Sequence, residues 1–219
     1  MEPPASTFLN DTWSLYFHDP EDEDWSEKSY KHVATMSSVE DFIGVQKNFE
    51  DAWSKGMFFV MREHIKPLWE DEHNCNGGCI SFKIMKNEVS KFWFLFSGMV
   101  VGENIMHGEH KHKLWDKVCG VSISPKRSFC ILRVWISDKD YGGVQYYNIE
   151  PPSYTKIMFK SYCENKDFQT WYLIALCKDK FDLTKRSNLV TKDEWEIIFE
   201  ENLNDIVQIC AFCEHHKVL

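Results

Sequence analysis

Leu68-Trp69-Glu70-Asp71-Glu72-His73-Asn74, closed by Gly77-Gly78, sits between two runs that alternate like strands, Phe58–Arg62 and Cys79–Met85. Alternation with period two is the mark of a half-buried strand. Pro67 follows the first run, and residues 74–78 read as a turn leading into the second. The aromatic and acidic run is thus a loop held by two strands. The same grammar repeats outward on both sides. Upstream, Trp13, Leu15 and Phe17 alternate with polar neighbours over 12–18, and 30–36 reads as a second strand. Between them lies Asp19-Pro20-Glu21-Asp22-Glu23-Asp24, an exposed acidic loop with Trp25 at its end. Ser37-Ser38 followed by Glu40 and Asp41 predicts a capped helix through about Phe49.

Downstream, residues 88–102 form the strongest amphipathic pattern, with Val89, Phe92, Trp93, Phe96, Met99 and Val100 on one helical face. A histidine-rich loop, 104–116, carries His107, His110 and His112, which read as solvated. Val118–Ser124 and Phe129–Ile136 flank Pro125-Lys126-Arg127-Ser128, the signature of a β-hairpin with a basic turn. Residues 138–170 are a long excursion with a strand near 155–162. A strand at 171–177, a capped helix at 191–204 opened by Thr191-Lys192-Asp193-Glu194, and a strand at 206–213 complete the chain. The fold class is α+β: a curved, mostly antiparallel sheet of about eight strands with three helices on its convex face. The expected organisation is a flexible arm over 1–10 and a single domain over 11–219, with an insertion at about 138–190.

The chain has 219 residues, 43% of them hydrophobic and 27% charged, as in an ordinary globular domain. No apolar run reaches membrane-spanning length, and the N-terminus lacks a basic, apolar leader. A cytoplasmic, monomeric protein with no membrane partner is expected. The formal net charge of −9 speaks against wrapping of long nucleic acid, which needs a broad basic face. It leaves room for a small site with a local basic patch. Eight cysteines in a reducing compartment read as free thiols. Cys210-Ala211-Phe212-Cys213 looks like half a zinc knuckle, with Cys75 and Cys79 or His215 as conceivable complements. No second tight pair stands at a defined separation, so buried thiols are the favoured reading and neither metal nor cofactor is expected.

Nine tryptophans are unusually many. Trp13 and Trp93 look like core. Trp25, Trp69 and Trp135 read as exposed, with Glu70 beside Trp69. Two indoles can sandwich a flat ring, worth roughly 1–3 kcal/mol per base, and a cationic ring adds roughly 0.5–2 kcal/mol of cation–π attraction. A carboxylate beside the slot can accept two N–H bonds from the Watson–Crick edge of a guanine. A nearby basic turn can meet phosphates. Together these fit 7-methylguanosine on a phosphate chain, whose ring is positive.

The run 68–78 resembles the signature of the eukaryotic translation initiation factor 4E family, the mRNA cap-binding proteins. Thr12-Trp13-Ser14-Leu15, Ser38-Val39-Glu40-Asp41-Phe42, and Val118-Cys119-Gly120 with Trp135 sixteen residues after the cysteine agree in the same order. The resemblance covers about 11–137 and returns at 191–213. It implies that Trp25 and Trp69 sandwich the methylated base and that Glu70 binds the guanine edge. It implies that Trp135 touches the N7-methyl group and that Lys126 reaches the phosphates. The family's arginine after the glycine pair is Cys79 here, and a second phosphate-binding lysine falls at Ile131. Arg133, two residues from Trp135 on the same strand face, and Arg127 in the turn are the candidates to hold phosphates with Lys126.

The resemblance also implies a partner on the convex face: an initiation factor 4G-like scaffold or a 4E-binding repressor. Val39, Glu40, Ile43, Phe94, Leu95 and Gly98 occupy the matching positions. Ile43 replaces a family tryptophan and Leu95 an acid. The implied function is recruitment of capped mRNA for translation initiation. A 4E-like translational repressor or scaffold with altered cap or partner binding is the alternative. An enzyme reading, with Glu70, Asp71 and Glu72 as acid/base groups or metal ligands, finds no nucleophile–base motif or P-loop behind it. The insertion, with Tyr141, Tyr146, Tyr147 and Trp171, either contacts cap-proximal nucleotides or packs on the sheet edge.

Overall fold

The structure, a computed structural model, describes residues 6–108, 110 and 114–162. Seven strands form one sheet: β1 (Phe8–His18), β2 (Lys31–Ser38), β3 (Met57–Arg62), β4 (Gly78–Met85), β5 (Val118–Pro125), β6 (Phe129–Ile136) and β7 (Met158–Ser161). Their order is β2-β1-β3-β5-β6-β4-β7, and every neighbouring pair is antiparallel. The α-helices α1 (Val39–Asn48) and α2 (Val89–Val101) pack on one face. This is the α+β sheet that the alternation predicts. The helix expected at 191–204, the strands at 171–177 and 206–213, and the insertion beyond 162 lie outside the described residues. So do Trp171, Trp195 and the Cys210–Cys213 pair.

Period-two alternation sorts side chains between two faces. On β1, Trp13, Leu15 and Phe17 join the cluster under the helices, while Tyr16 joins a second cluster on the opposite, concave face. On β3, Phe58 and Val60 go to the helices, and Phe59 and Met61 to the concave side. A strand buried on both faces reads as an unbroken apolar run, as 57–61 does.

The helices begin and end where their chemistry dictates. Ser38 Oγ accepts the Asp41 N–H at 3.1 Å, and the Asp41 carboxylate accepts the Ser38 N–H at 3.0 Å, a reciprocal capping box. The Ser38 hydroxyl, then the Ser37 N–H, hold the Asp41 carboxyl below its ordinary range. On α2, Trp93, Phe96 and Val100 are buried as the spacing predicts, and Gly102 caps the end. Burying each such large side chain contributes about 1.5–3 kcal/mol.

Trp53, which the sequence pattern leaves unassigned, is core. It contacts Phe49, Phe58 and Trp93, with ring centroids 4.8–5.7 Å away. Residues 8–10, read with the arm, are strand. Phe8 pairs with Ser38, the Thr7 carbonyl accepts the Val39 N–H, and the Thr7 N–H donates to Glu40. Arg62 is a buried strand-end residue whose partners come from distant elements. Its guanidinium pairs with Asp11 and Glu103, donates to the Val118 and Trp115 carbonyls, and lies within 5 Å of the Trp13 and Trp115 ring centroids.

Candidate functional site

The loop between β3 and β4 is held from within. Asp71 accepts the backbone N–H groups of Lys66 and His73, each at 2.9 Å, and the His73 ring at 3.0 Å. Burial pushes its carboxyl up, but those bonds outweigh it and the pKa lies below the ordinary range. Asn74, fully buried, donates to the Lys66 and Leu68 carbonyls. Short polar side chains bonding nearby backbone are the chemistry of tight loops. Asp71 and Asn74 are therefore engaged in loop geometry. The glycines after them are steric necessities. A Cβ on Gly77 would lie 1.7 Å from the Ile136 carbonyl oxygen, and one on Gly78 2.4 Å from that of Lys160.

That scaffold presents Trp69 and Glu70 at the concave face. Trp69 is half-buried and packs against the cluster of Tyr16, Phe59, Met61, Ile65, Cys79, Cys119, Trp135 and Tyr162. Glu70 is exposed beside it. Burial, then the Glu70 carboxylate, push the Tyr30 hydroxyl up to about 12. Trp135 lies on β6 in the middle of the cluster, flanked by Phe59 and Tyr162 at 6.1 and 5.3 Å. Its indole N–H donates to Ser122 Oγ at 2.9 Å.

Of the three tryptophans expected to be exposed, only Trp25 is, at 53%. Trp135 is 6% exposed and forms part of the floor. The reason is its neighbours: β6 is an interior strand, so an inward indole there meets aromatic rings on both sides. Trp25 sits in the loop after β1 and stacks on His18, with centroids 4.3 Å apart and planes 11° from parallel. His18 in turn contacts Tyr30, and Tyr30 contacts Phe59. A chain of rings thus connects Trp25 to Trp135. The exposed Glu27–Lys66 pair, at 3.1 Å, bridges the Trp25 loop to the Trp69 loop. A cleft of about 280 Å³ lined by Tyr16, Tyr30, Lys66 and Leu68 runs between them.

The basic residues divide. Lys126 and Arg127 are exposed in the β5–β6 turn, which the Lys126 N–H closes onto the Phe129 carbonyl at 2.7 Å. Arg133 is half-buried on the Trp135 side of β6, as alternation predicts, and donates to Ser124 Oγ at 3.0 Å. Its charge counters the rise that burial imposes on the Cys79 thiol. Cys79, Cys119 and Cys130 are free thiols, and no group of metal-ligating side chains gathers among the described residues.

On the helix-bearing face, Val39, Phe94 and Leu95 are exposed, the last two at 48% and 45%. Glu40 is exposed and bonds the chain ahead of β1. Ile43 is half-buried and packs into the core. Gly98 lies beside the Phe42 ring, which also contacts Phe94 at 5.8 Å. The six back-face positions therefore lie on or beside one α1–α2 contact. Among the described residues no helix is long and apolar enough to cross a membrane.

Sequence reading missed His18, Tyr30 and Ser122, the second row around the aromatic positions. The signal for His18 was present, since it alternates with Phe17 and Leu15. Tyr30 and Ser122 carry no local mark, because their role follows from cross-strand neighbours.

The family model described as eukaryotic initiation factor 4E matches residues 8–157. The chain belongs to the initiation factor 4E family. The matched span contains every candidate residue for the base, the phosphates and the back face. Initiation factor 4E of Candida albicans is 29% identical over 143 residues, 60% of this chain and 65% of that protein. Initiation factor 4E-1 of Schizosaccharomyces pombe is 30% identical over 131 residues, 56% of this chain and 57% of that protein. The chain thus spans about three fifths of the length of these curated relatives. Among solved structures, Ascaris suum eIF4E-3 with an m7G cap aligns with a TM-score of 0.55 and 22% identity, covering 63% of this chain and 77% of that one. Caenorhabditis elegans eIF4E-3 with the 4E-binding protein Mextli aligns with a TM-score of 0.60 and 18% identity, covering 74% and 96%. At these identities the likeness is one of fold.

Proposed function

We propose that this 4E-family chain binds the 7-methylguanosine 5′ cap of mRNA and recruits it for translation initiation in the cytoplasm, acting by binding and not by catalysis. The observation that carries the reading is the Trp69–Glu70 loop. Asp71 and Asn74 hold it rigid, and it presents an indole and a carboxylate to a concave aromatic floor that contains Trp135. Preorganisation of this kind lowers the ordering cost of binding.

In this reading the methylated base enters between Trp69 and Trp25, and Trp25 meets it from the loop after β1. Stacking contributes roughly 1–3 kcal/mol per base, with cation–π attraction from the positive ring adding to it. Glu70 accepts the guanine N1 and N2 hydrogens; charge-assisted bonds are worth about 1.5–3 kcal/mol each. Trp135 touches the N7-methyl group from the floor. Lys126, Arg127 and Arg133 meet the phosphates. The relatives and the cap-bound Ascaris suum neighbour support this reading by family and by fold.

On the helix-bearing face, Val39, Phe94 and Leu95 form an apolar patch suited to an amphipathic peptide. A 4G-like scaffold or a 4E-binding repressor is its proposed partner. Structures of family members with Mextli and with a 4E-BP support it. Pull-down with factor 4G tests the scaffold partner.

Quenching of tryptophan fluorescence by 7-methyl-GTP, compared with GTP, tests the main reading. Strong quenching by the methylated nucleotide alone is expected. Equal or absent quenching would overturn it.

A further inference from the structure

Directly opposed residues of an antiparallel pair project from the same face of a sheet. Three rungs cross β5, β6, β4 and β7. One runs Gly120, Trp135, Cys79, Lys160; the next Ser122, Arg133, Ser81, Met158; the third Ser124, Ile131, Lys83. Trp135 and Cys79 belong to the concave cluster, so Arg133, Lys83 and Lys160 all stand on that face. Position 79 is a thiol and position 131 is aliphatic, so neither offers a cation. On each of those rungs the residue one strand across is a lysine: Lys160 opposite Cys79, and Lys83 opposite Ile131.

Both lysines are exposed, and neither forms an ion pair among the described residues. The Lys83 ammonium lies 4.9 Å from the Phe129 ring centroid, toward the β5–β6 turn that carries Lys126 and Arg127. The Lys160 charge acts on the buried Cys79 thiol, as that of Arg133 does. Neighbouring strands are about 4.8 Å apart, and alternate residues on one strand about 6.8 Å. Lys83 is thus one diagonal step from Arg133, and Lys160 two strands and one rung away. Long flexible side chains bring all three within the length of a triphosphate. In a chain of net charge −9, only such a local cluster draws a polyanion in.

We propose that Lys83 and Lys160 are phosphate-binding residues, acting with Arg133 on the phosphate chain of the nucleotide whose base Trp69 and Glu70 hold. The inference rests on the cap-binding reading above. It is tested with Lys83→Gln, Lys160→Gln and the double variant, titrated with 7-methyl-GTP and with the nucleoside 7-methylguanosine. Lys47→Gln, on the exposed side of α1, makes the same change in global charge on the other face.

Each single variant is expected to weaken 7-methyl-GTP binding roughly three- to tenfold. Nucleoside affinity should stay at the wild-type level, the salt dependence of nucleotide binding should flatten, and Lys47→Gln should change neither. A double variant that binds 7-methyl-GTP like wild type overturns the proposal while cap binding stands. So does an equal loss for the nucleoside, or the same loss in Lys47→Gln. A wild-type protein that does not distinguish 7-methyl-GTP from GTP overturns the cap reading and this proposal together.

Discussion

The two faces of the sheet use aromatic residues in opposite ways. Under the helices, Trp13, Trp53 and Trp93 are fully buried among aliphatic and aromatic neighbours. The indole N–H groups of Trp13 and Trp93 have no hydrogen-bond partner among the described residues, and these rings serve the core through packing and, at Trp13, through the Arg62 guanidinium over its face. On the concave face, the Trp135 N–H is bonded to Ser122, Trp69 is half-buried, and Trp25 is exposed and stacked on His18. The concave cluster is smaller and studded with hydroxyls and thiols. One face spends its indoles on stability, and the other keeps ring surface and polar handles available to a ligand.

Four substitutions probe that contrast, from the largest effect down. Trp93→Ala removes a fully buried indole and should cost about 3–5 kcal/mol in urea unfolding. Its folded fraction should bind 7-methyl-GTP with wild-type affinity; a specific affinity loss would show that the faces are coupled. Glu70→Gln should do the reverse, with unfolding unchanged and affinity for 7-methyl-GTP reduced by about 1.5–3 kcal/mol. The Tyr30 phenol, now free of the carboxylate, should titrate lower than its present value of about 12. Retained affinity would remove Glu70 from the site.

Asp71→Ala should affect both quantities. Loss of its backbone bonds is expected to cost about 1–2 kcal/mol of stability and to weaken nucleotide binding through the loosened Trp69 loop. The folded-state pKa of Asp71 is depressed, so its contribution is fully present above the unfolded value near 3.9. That contribution is lost as pH falls through the folded value. The stability gap between wild type and Asp71→Ala should therefore be open at pH 7 and close in acid below pH 4. A gap that is constant with pH would show that the carboxylate charge plays no part. Trp135→Phe keeps an aromatic floor and loses the bond to Ser122, so a stability loss of about 1 kcal/mol is expected. A larger loss would mark Trp135 as core in the sense of Trp93.

Much of this division was legible beforehand where it depends on local chemistry. The alternation of 12–18, 58–62 and 118–136, the Ser38 capping box and the α2 stripe are all encoded by near neighbours, and their elements stand where periodicity puts them. Arg133 and Trp135 share a face because residues two apart on a strand must. Exposure was less legible. Trp135 reads as a surface candidate and is buried, because burial depends on which strands lie beside β6. Trp53 was undecided for the same reason. The acids of 70–72 look alike in sequence, yet Asp71 is consumed by the loop while Glu70 is presented by it. Only the fold of the loop separates them.

The sequence by itself determined strands β1 to β6, helices α1 and α2, the family pattern and the Trp69–Glu70 pair, because helix caps, period-two alternation and tight-loop chemistry act over a few residues. Tertiary structure alone decided which tryptophans pack and which remain available, where Arg62 finds its carboxylates, and that Lys83 and Lys160 share rungs with Ile131 and Cys79. Register is set between strands far apart in the chain. No local pattern carries that information, because a rung joins residues whose proximity exists only once the sheet has formed.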